Sequence, residues 1–410
     1  MTSLSSTIRR ARAPRARCIA SSVSVLSALL GLGCSSDWQN DQGYASKGNG
    51  QTPEEPPASM SHPTGLHAVD NHIEDADGNV IRLRGVNRSG TEYKCVQGDI
   101  FDGASDKKSV EAMATWNVNA VRVPLNETCW LGINGVAQAF SGEAYKSAIS
   151  DYIGLLHAYS LIPILELHWT APGEEKAISQ PLVPDLDHAP DFWADVTRTF
   201  ADDTGVIFEP FNEPVYNYLF QGDAESAWAC WRDGCTVPDR VAQDGSMQPG
   251  FAATGFQGML DAIRGAEAET GTGSHLVLQG GLDWSNDLSG WLEHRPDDPA
   301  SNLGAAWHIY NFNGCNSATC FDGAPADVAS AIPLVATEIG ENDCQAGFVN
   351  NVMDWLDAHD SGYLAWSWNT FGPCEAGSSS HAWSLVQDYY VPTPNSEYAQ
   401  AIHDRLRGSE

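Results

Sequence analysis

Residues 206–214 read VIFEPFNEP, a short apolar run that ends abruptly in polar side chains. Its length and its β-branched and aromatic side chains are typical of a buried strand. Asn212 and Glu213 then stand where that strand ends. The same pattern, an apolar strand with a polar end, recurs along the chain and decides the fold.

Seven further runs have this character: IRLRGVN (81–87), NAVRVPL (119–125), IPILELH (162–168), HLVLQGG (275–281), AAWHIY (305–310), LVATEIG (334–340) and GYLAWSW (362–368). Amphipathic segments lie between them, and four are clear: 144–159, 191–202, 255–269 and 346–359. Strands that alternate with helices predict parallel βαβ units, and eight such units close a barrel. We therefore predict an α/β fold, a (β/α)8 TIM barrel, in a single catalytic domain over residues 63–410.

The barrel is predicted to carry a small cap at its lower end. Residues 66–84 alternate between apolar and polar, and Asp77-Gly78 stands between two strand-like runs. Asp-Gly in this setting is a strong signal for a β-hairpin. We expect this short N-terminal β-hairpin to cover the bottom of the barrel.

The N-terminus has the layout of an export signal. Five arginines and no acidic residue precede the apolar run 21–32, which is too short to span a bilayer. Gly33-Cys34 follows and resembles the cleavage site of a bacterial lipoprotein, although Gly31 stands where such sites usually have Leu. We expect a signal peptide over 1–33, acylation of Cys34 as a membrane tether, and a flexible linker over 34–62. Plain secretion is the alternative.

Charge and cysteine content limit the partners and the compartment. The chain has 22 basic and 53 acidic residues, so nucleic acid and anionic membrane surfaces are unlikely partners, whereas a neutral polysaccharide would not be repelled. Of the ten cysteines, eight remain when Cys18 and Cys34 are set aside, an even number that favours disulfides in an oxidising compartment. Local spacing suggests the pairs Cys230–Cys235, Cys315–Cys320, Cys95–Cys129 and Cys344–Cys374. We expect a monomer.

Active sites of such barrels lie at the carboxyl ends of the strands, so the polar residues that end these runs are the candidates. They are Arg122, Glu166 and His168, Asn212 and Glu213, His308 and Tyr310, Glu338, and Trp366 and Trp368. Two carboxylates with aromatic walls suit glycosidic bond cleavage, because one group protonates the leaving oxygen while the other attacks the sugar carbon. Glu213 and Glu338, three strands apart in a ring of eight, would face each other.

The motifs GVNRSG, NAVRVP, LELHW, FEPFNEP, WHIYNF, ATEIG and LAWSWN, in this order over residues 66–405, resemble glycoside hydrolase family 5. The resemblance implies a retaining β-glycosidase, with no cofactor or metal, that acts on a polysaccharide or oligosaccharide. β-1,4-Glucan is the first expectation, with mannan, xyloglucan or exo-acting hydrolysis as alternatives.

The resemblance also implies a role for each candidate. Glu213 would be the general acid/base with a raised pKa, and Glu338 the nucleophile, kept ionised by Arg122 and Tyr310. Asn212 would bind the substrate 2-hydroxyl, and His168 and His308 would position the sugar and the acid/base. Trp368 would form the floor under the sugar, with Trp366 as the alternative.

Other interpretations of single residues stay open. Arg122 and His168 could each be ordinary core residues, Glu166 and Glu209 are expected to be structural, and Glu341 is expected to be solvated. Five tryptophans in predicted loops could stack on sugars or simply pack: Trp130, Trp169, Trp228, Trp231 and Trp284. The insertion over 215–250 could wall off one end of the cleft and favour exo action.

Two other classes of protein are weaker interpretations. A carbohydrate-binding lipoprotein without catalysis would have no reason to retain two costly carboxylates. A metal-dependent hydrolase on the same barrel would need His-x-His after the first strand, where Asn87-Arg88-Ser89 stands.

Overall fold

The computed structural model describes residues 62–241, 247–378 and 381–408. The predicted signal peptide, Cys34 and nearly all of the predicted linker therefore lie outside the described residues. Among the residues that are described, no helix is long and apolar enough to cross a membrane.

The strands in the described residues are β1 His67–Val69, β2 His72–Glu74, β3 Val80–Ile81, β4 Arg84–Asn87, β5 Ala120–Asn126, β6 Ile162–Trp169, β7 Ile207–Glu209, β8 Cys235–Val237, β9 Arg240–Val241, β10 Met247–Gln248, β11 Phe251–Ala253, β12 Val277–Gln279, β13 Leu303–Tyr310, β14 Leu334–Gly340 and β15 Gly362–Ala365. Eight of them form a closed parallel barrel in the order β12-β13-β14-β15-β4-β5-β6-β7. All eight predicted runs contribute a barrel strand, so the fold prediction is confirmed.

The helices in the described residues are α1 Thr91–Lys94, α2 Lys107–Ala114, α3 Glu127–Leu131, α4 Glu143–Ala158, α5 Ala189–Thr199, α6 Tyr216–Leu219, α7 Ala224–Asp233, α8 Phe256–Thr270, α9 Leu282–Ser285, α10 Trp291–His294, α11 Ala318–Phe321, α12 Ala324–Ala331, α13 Gly347–Ala358 and α14 Glu397–Arg407. The four amphipathic segments correspond to α4, α5, α8 and α13. Their apolar faces pack against the outer side of the barrel in one large buried cluster.

The bottom of the barrel is closed by the N-terminal segment. The turn at Asp77-Gly78 joins β2 to β3 as expected, and β1 adds a third antiparallel strand. Leu66 and Ile73 belong to the same buried cluster as inward residues of the barrel such as Ile164 and Leu278. The cap therefore completes the lower core and leaves the other end of the barrel free for a site.

All four suggested disulfides are present: Cys95–Cys129, Cys230–Cys235, Cys315–Cys320 and Cys344–Cys374. Two of them join successive loops at the carboxyl ends of the strands, β4 with β5 and β14 with β15. The other two close short loops, one in the insertion after β7 and one after β13. Four bonded pairs fit a protein of an oxidising compartment.

The two classes of disulfide should contribute differently to stability. Cys344–Cys374 spans 30 residues and Cys315–Cys320 spans 5, so the longer loop loses more chain entropy in the unfolded state. Replacing both cysteines of the longer pair by Ala should lower the free energy of unfolding by about 3.5 kcal/mol, against about 2 kcal/mol for the shorter pair. Denaturant unfolding measures both. Equal losses would contradict the chain-entropy explanation.

Candidate active site

The site is built around the Arg122 guanidinium, which is fully buried at the centre of the barrel. Its Nε and Nη2 bind both oxygens of Glu209 at 2.8 and 3.0 Å. Nη1 donates to Glu338 at 2.7 Å and Nη2 donates to Asn212 at 2.8 Å. Glu166 lies 3.5 Å away. Arg122 thus connects side chains of β6, β7 and β14 and of the segment after β7.

Glu213 and Glu338 face each other across the carboxyl ends of β7 and β14, as the strand positions predicted. One oxygen of each, together with a His308 nitrogen, falls within a group whose members all lie within 4.8 Å of one another. This upper limit fits the carboxyl spacing of about 5 to 5.5 Å found in retaining glycosidases rather than the spacing of about 6.5 Å or more found in inverting ones.

The two carboxylates have different partners. Glu338 accepts from Arg122 on one oxygen and from the Tyr310 hydroxyl on the other, at 2.7 and 2.6 Å. Glu213 is contacted by His308 Nδ1 at 3.0 Å and by the Gln180 amide at 3.1 Å. One carboxylate is therefore held by a permanent charge and a phenol, and the other by a group that can exchange a proton.

Two histidines in the site carry positive charge at neutral pH. Burial would lower the pKa of His308, but the charge of Glu338, the nearby Glu209 carboxylate at 3.7 Å and the hydrogen bond to Glu213 raise it to about 10. Burial likewise opposes the charge on His168, whose pKa is raised to about 9 by the charge and hydrogen bond of Glu166. The His168 and Glu166 side chains are 3.0 Å apart.

The order of the two carboxylate pKa values is the reverse of the expected one. Burial raises the pKa of Glu338, and the charges of His308 and Arg122 offset this only in part. Burial also acts on Glu213, but the hydrogen bond and charge of His308 outweigh it and hold its pKa below the usual range. The sequence could not reveal this, because His308 lies 95 residues from Glu213 and contacts it only in the folded chain.

The balance of charges in the buried cluster favours protonation of its carboxyl groups. Four carboxylates, Glu166, Glu209, Glu213 and Glu338, face three cations, Arg122, His168 and His308. A fifth carboxyl group, Glu92, interacts with His168, and burial raises its pKa to about 7. The carboxyl groups outnumber the cations, so a buried site of low dielectric favours the uptake of protons.

A cavity of about 520 Å³ opens above the carboxylates. His168, Asn212, Glu213, Tyr310 and Glu338 all line it, so the structure brings these predicted residues together. Arg122 and His308 lie beneath them, fully buried. Glu166 and Glu209 are buried partners of Arg122, as expected.

Of the two tryptophans considered, the alternative, Trp366, lies in the site, and the first choice, Trp368, does not. Trp366 lines the cavity, with its ring stacked at 5.7 Å from that of His168. Trp368 is 0% exposed and packs edge-on against Trp116, outside the site. Strand β15 ends at Ala365, so the alternation assumed for a strand through Trp368 does not continue that far.

Other rim residues also differ from expectation. Glu341 is 1% exposed rather than solvated, because its carboxylate accepts from the Phe348 and Val349 amides at the start of α13. Among the five loop tryptophans, Trp284 alone lines the cavity, and it is 46% exposed. Trp130, Trp228 and Trp231 are buried in the core.

Several lining residues carried no recognisable signal in the sequence. Gln180 comes from the irregular loop between β6 and α5, where no periodicity marks it. Trp383 and Phe312 pack against Tyr310 at ring distances of 5.2 and 5.3 Å. Gly340 makes room for this wall, since a Cβ there would lie 2.7 Å from the Tyr310 ring.

Metal binding at the two facing carboxylates is disfavoured by their partners. Both oxygens of Glu338 already accept hydrogen bonds, and a protonated His308 offers no lone pair. A second group of possible ligands, His62, His157 and Asp203, lies beside the amino ends of the strands. There His157 Nε2 is already bonded to Asp203 at 3.0 Å.

Comparison with known proteins agrees with this geometry. The family model for cellulase (glycosyl hydrolase family 5) matches residues 74–372. The chain belongs to glycosyl hydrolase family 5. This family 5 enzyme is therefore a retaining β-glycosidase that hydrolyses O-glycosyl bonds of β-glycans.

Individual relatives of the family 5 enzyme are distant. A mannan endo-1,4-β-mannosidase of Streptomyces lividans is 24% identical over 75% of this chain and 67% of its own length. Endoglucanase MaCel5A of Microbulbifer sp. (strain ALW1) is 25% identical over 36% of this chain and 26% of its own length. A β-glucanase of Saccharophagus degradans has a similar structure, with a TM-score of 0.60 at 16% identity, covering 86% of this chain and 95% of that one.

The two tryptophans of the family 5 enzyme should respond oppositely to truncation. Trp368→Ala removes a buried side chain and should lower the free energy of unfolding by about 3–5 kcal/mol. Trp366→Ala should change it by less than about 1 kcal/mol but lower kcat/KM about tenfold or more, through lost stacking on the sugar. Denaturant unfolding and steady-state kinetics on both variants test this. A Trp366→Ala enzyme with unchanged kcat/KM would contradict a role in the site.

Proposed function

We propose that the enzyme hydrolyses its substrate by double displacement, with Glu338 as nucleophile and Glu213 as general acid/base. The observation that carries this proposal is the pair of carboxylates within 4.8 Å, each with a different set of partners. Glu338 attacks the anomeric carbon while Glu213 protonates the leaving oxygen. Glu213 then deprotonates the water that releases the sugar.

Glu338 is suited to nucleophilic attack by its two donors. Arg122 cannot lose its proton in the protein, so it favours the carboxylate form at every working pH. Tyr310 fixes the second oxygen at 2.6 Å and orients the carboxylate. The positive charge that develops on the sugar carbon adds to this preference for the ionised nucleophile.

Glu213 receives its proton through His308 in this proposal. His308 Nδ1 lies 3.0 Å from a Glu213 oxygen, and a charged imidazole carries a proton there. Transfer along this hydrogen bond leaves a neutral imidazole and a protonated Glu213, which is the form needed to act as an acid. Gln180 holds the other Glu213 oxygen at 3.1 Å and orients the group.

The remaining predicted residues bind the sugar. Asn212 is fixed by Arg122 through its side-chain oxygen, and its amide nitrogen, which lies 3.4 Å from His168 Nε2, has a second N–H to donate toward the substrate 2-hydroxyl. His168 lies beside Trp366 in the cavity wall, and Trp366 serves as the platform under the sugar that is cleaved.

Trp284 is placed to bind the leaving sugar. Its backbone amide donates to the Pro214 carbonyl, directly after the acid/base. The residues Asp283, Trp284 and Ser285 all have positive φ, near 52°, 58° and 56°, a conformation that Ser285 secures by donating to the Asn212 carbonyl at 2.8 Å. This left-handed turn presents the Trp284 ring beside Glu213.

We propose endo action on a neutral β-1,4-linked hexose polymer. Aromatic side chains flank the carboxylates on more than one side, and the described residues of the insertion after β7 do not line the cavity. Mannan is our first candidate, because a mannan endo-1,4-β-mannosidase matches 75% of the chain, whereas the endoglucanase matches 36%. Glucan, the expectation from sequence, is the second.

Export belongs to the same proposal. The arginine-rich, then apolar N-terminus over 1–33 would direct the chain out of the cytoplasm, and Cys34 would receive the acyl anchor. Four disulfides support an oxidising destination. The mature enzyme would act as a monomer at the cell surface or outside the cell.

A panel of polymers identifies the substrate. The purified mature domain is incubated with mannan, carboxymethylcellulose, mixed-linkage β-glucan, xyloglucan and aryl β-glycosides, with Glu338→Gln as the inactive control. We expect oligosaccharides of mixed length from mannan, because endo cleavage occurs inside the chain. Products from glucan alone would replace the first candidate by the second. Release of a single short product throughout would contradict endo action, and inactivity on every substrate, aryl β-glycosides included, would favour the binding protein.

Azide distinguishes the two catalytic roles. In Glu338→Ala, azide takes the place of the nucleophile and should give a glycosyl azide of inverted configuration from an activated aryl glycoside. In Glu213→Ala, azide should attack the covalent intermediate and give retained configuration. Nuclear magnetic resonance of the products reads the anomeric configuration. The opposite pairing of variant and product would exchange the two assignments.

A further inference from the structure

Three carboxylates crowd together beside the loop between β6 and α5. Glu127 begins α3, and Asp185 and Asp187 stand at the end of that loop. Glu127 and Asp185 are both fully buried, and each has its carboxylate in contact with the other. Asp185 also contacts the carboxylate of Asp187, which is exposed to solvent. Like charges this close repel unless a proton or a cation lies between them.

The two buried carboxylates, Glu127 and Asp185, each accept a hydrogen bond on only one of their two oxygens. Glu127 accepts from the Ala171 amide at 3.3 Å through Oε1, and Asp185 accepts from the His188 amide at 2.9 Å through Oδ1. Within the described residues, Glu127 Oε2 and Asp185 Oδ2 have no hydrogen-bond partner. Buried carboxylate oxygens without a donor are costly, so these two point to a missing positive group.

A neutral side chain, that of Thr170, lies beside the same carboxylates. The Thr170 hydroxyl is 2% exposed and faces the Asp185 carboxylate. It too has no partner with hydrogen-bond geometry among the described residues. The Thr170 hydroxyl and the carboxylates of Glu127 and Asp185 therefore each have an oxygen without a partner, and together they offer a set of oxygen ligands.

The surrounding protein supplies little compensating charge. In the described part of the chain, no Lys or Arg forms an ion pair with Glu127, Asp185 or Asp187. His188 Nε2 lies 3.8 Å from Asp187 and is hydrogen-bonded to the Gly173 carbonyl.

We propose that Glu127, Thr170 and Asp185 bind a calcium ion, and that Asp187 beside them adds negative charge to the site. All the donors are oxygens, which hard cations prefer, and calcium tolerates irregular geometry with water completing its shell. Magnesium demands a stricter octahedron and releases its water reluctantly. The exposed Asp187 provides the route by which the ion enters.

The site would fix a loop that reaches the catalytic centre. Thr170 and Asp185 lie near the two ends of the loop between β6 and α5, and Gln180 in its middle donates to Glu213 at 3.1 Å. Asn126, next to Glu127, also donates to the Ala177 carbonyl of this loop at 2.8 Å. Calcium would therefore stabilise the fold and hold Gln180 against Glu213.

A shared proton is the competing explanation. Burial, followed by the charge of Asp185, raises the pKa of Glu127 well above its usual range, so Glu127 could be protonated and donate to Asp185. The two explanations differ in what they predict. A proton pair needs no metal, and Glu127→Gln would preserve its hydrogen bond.

The test uses the mature enzyme freed of metal by chelation. Calcium at a hundredfold excess over its dissociation constant should raise Tm by about 4 °C, and titration calorimetry should give one site per chain. Glu127→Gln and Asp185→Asn should lose this shift. Glu175→Gln, an exposed carboxylate on the same loop, should keep it.

Asp187→Asn covers the case in which the buried variants fail to fold, because this side chain is exposed; it should weaken calcium binding about tenfold or more. The proposal is overturned if calcium produces neither heat nor a Tm shift in the wild-type enzyme, with Glu127→Gln at least as stable as wild type. The proposal is also overturned if Glu175→Gln loses the calcium-induced rise in Tm to the same extent as Glu127→Gln, since the ion would then bind the loop surface.

Discussion

The buried guanidinium of Arg122 is the interaction on which the rest of the site depends. It binds Asn87, Glu209, Asn212 and Glu338, which come from three different strands and one strand end. Removing a charge from water is expensive, and only a complete set of partners offsets that cost. The strands must therefore close into a barrel of one register before the charge is satisfied. Catalytic geometry and barrel closure are set by the same bonds.

The surplus negative charge around Arg122 gives the site its chemistry. Carboxyl groups outnumber the cations in this cluster, and the proton on His308 can pass to Glu213 along their hydrogen bond. In the substrate-free site, His308 lowers the pKa of Glu213 and burial raises that of Glu338. A cationic sugar carbon beside Glu338 would reverse this preference. The site is thus organised for the transition state rather than for the resting state.

The loops at the rim of the barrel are stabilised by local bonds and turns rather than by packing in the core. Two disulfides join adjacent loops, a left-handed turn presents Trp284, and the loop between β6 and α5 delivers Gln180. The loop that carries Gln180 ends at the acidic group of Glu127, Asp185 and Asp187. Loops at this end of a barrel determine which polymer fits, whereas the strand ends determine the reaction. Substrate choice and catalysis are therefore supported by separate parts of the structure.

The sequence by itself determined the barrel, its cap, the disulfide pairs and the two facing carboxylates. Strand periodicity and polar strand ends are local signals that follow from neighbouring residues, and the cysteines pair between successive segments of the chain. Only the tertiary structure decided that Trp366 rather than Trp368 lines the cavity, that Glu341 is buried against α13, and that His308 sets the pKa of Glu213. Each depends on where a strand stops or on contacts between residues distant in the chain. Such contacts produce no periodic pattern in the sequence, because they form only when the barrel packs.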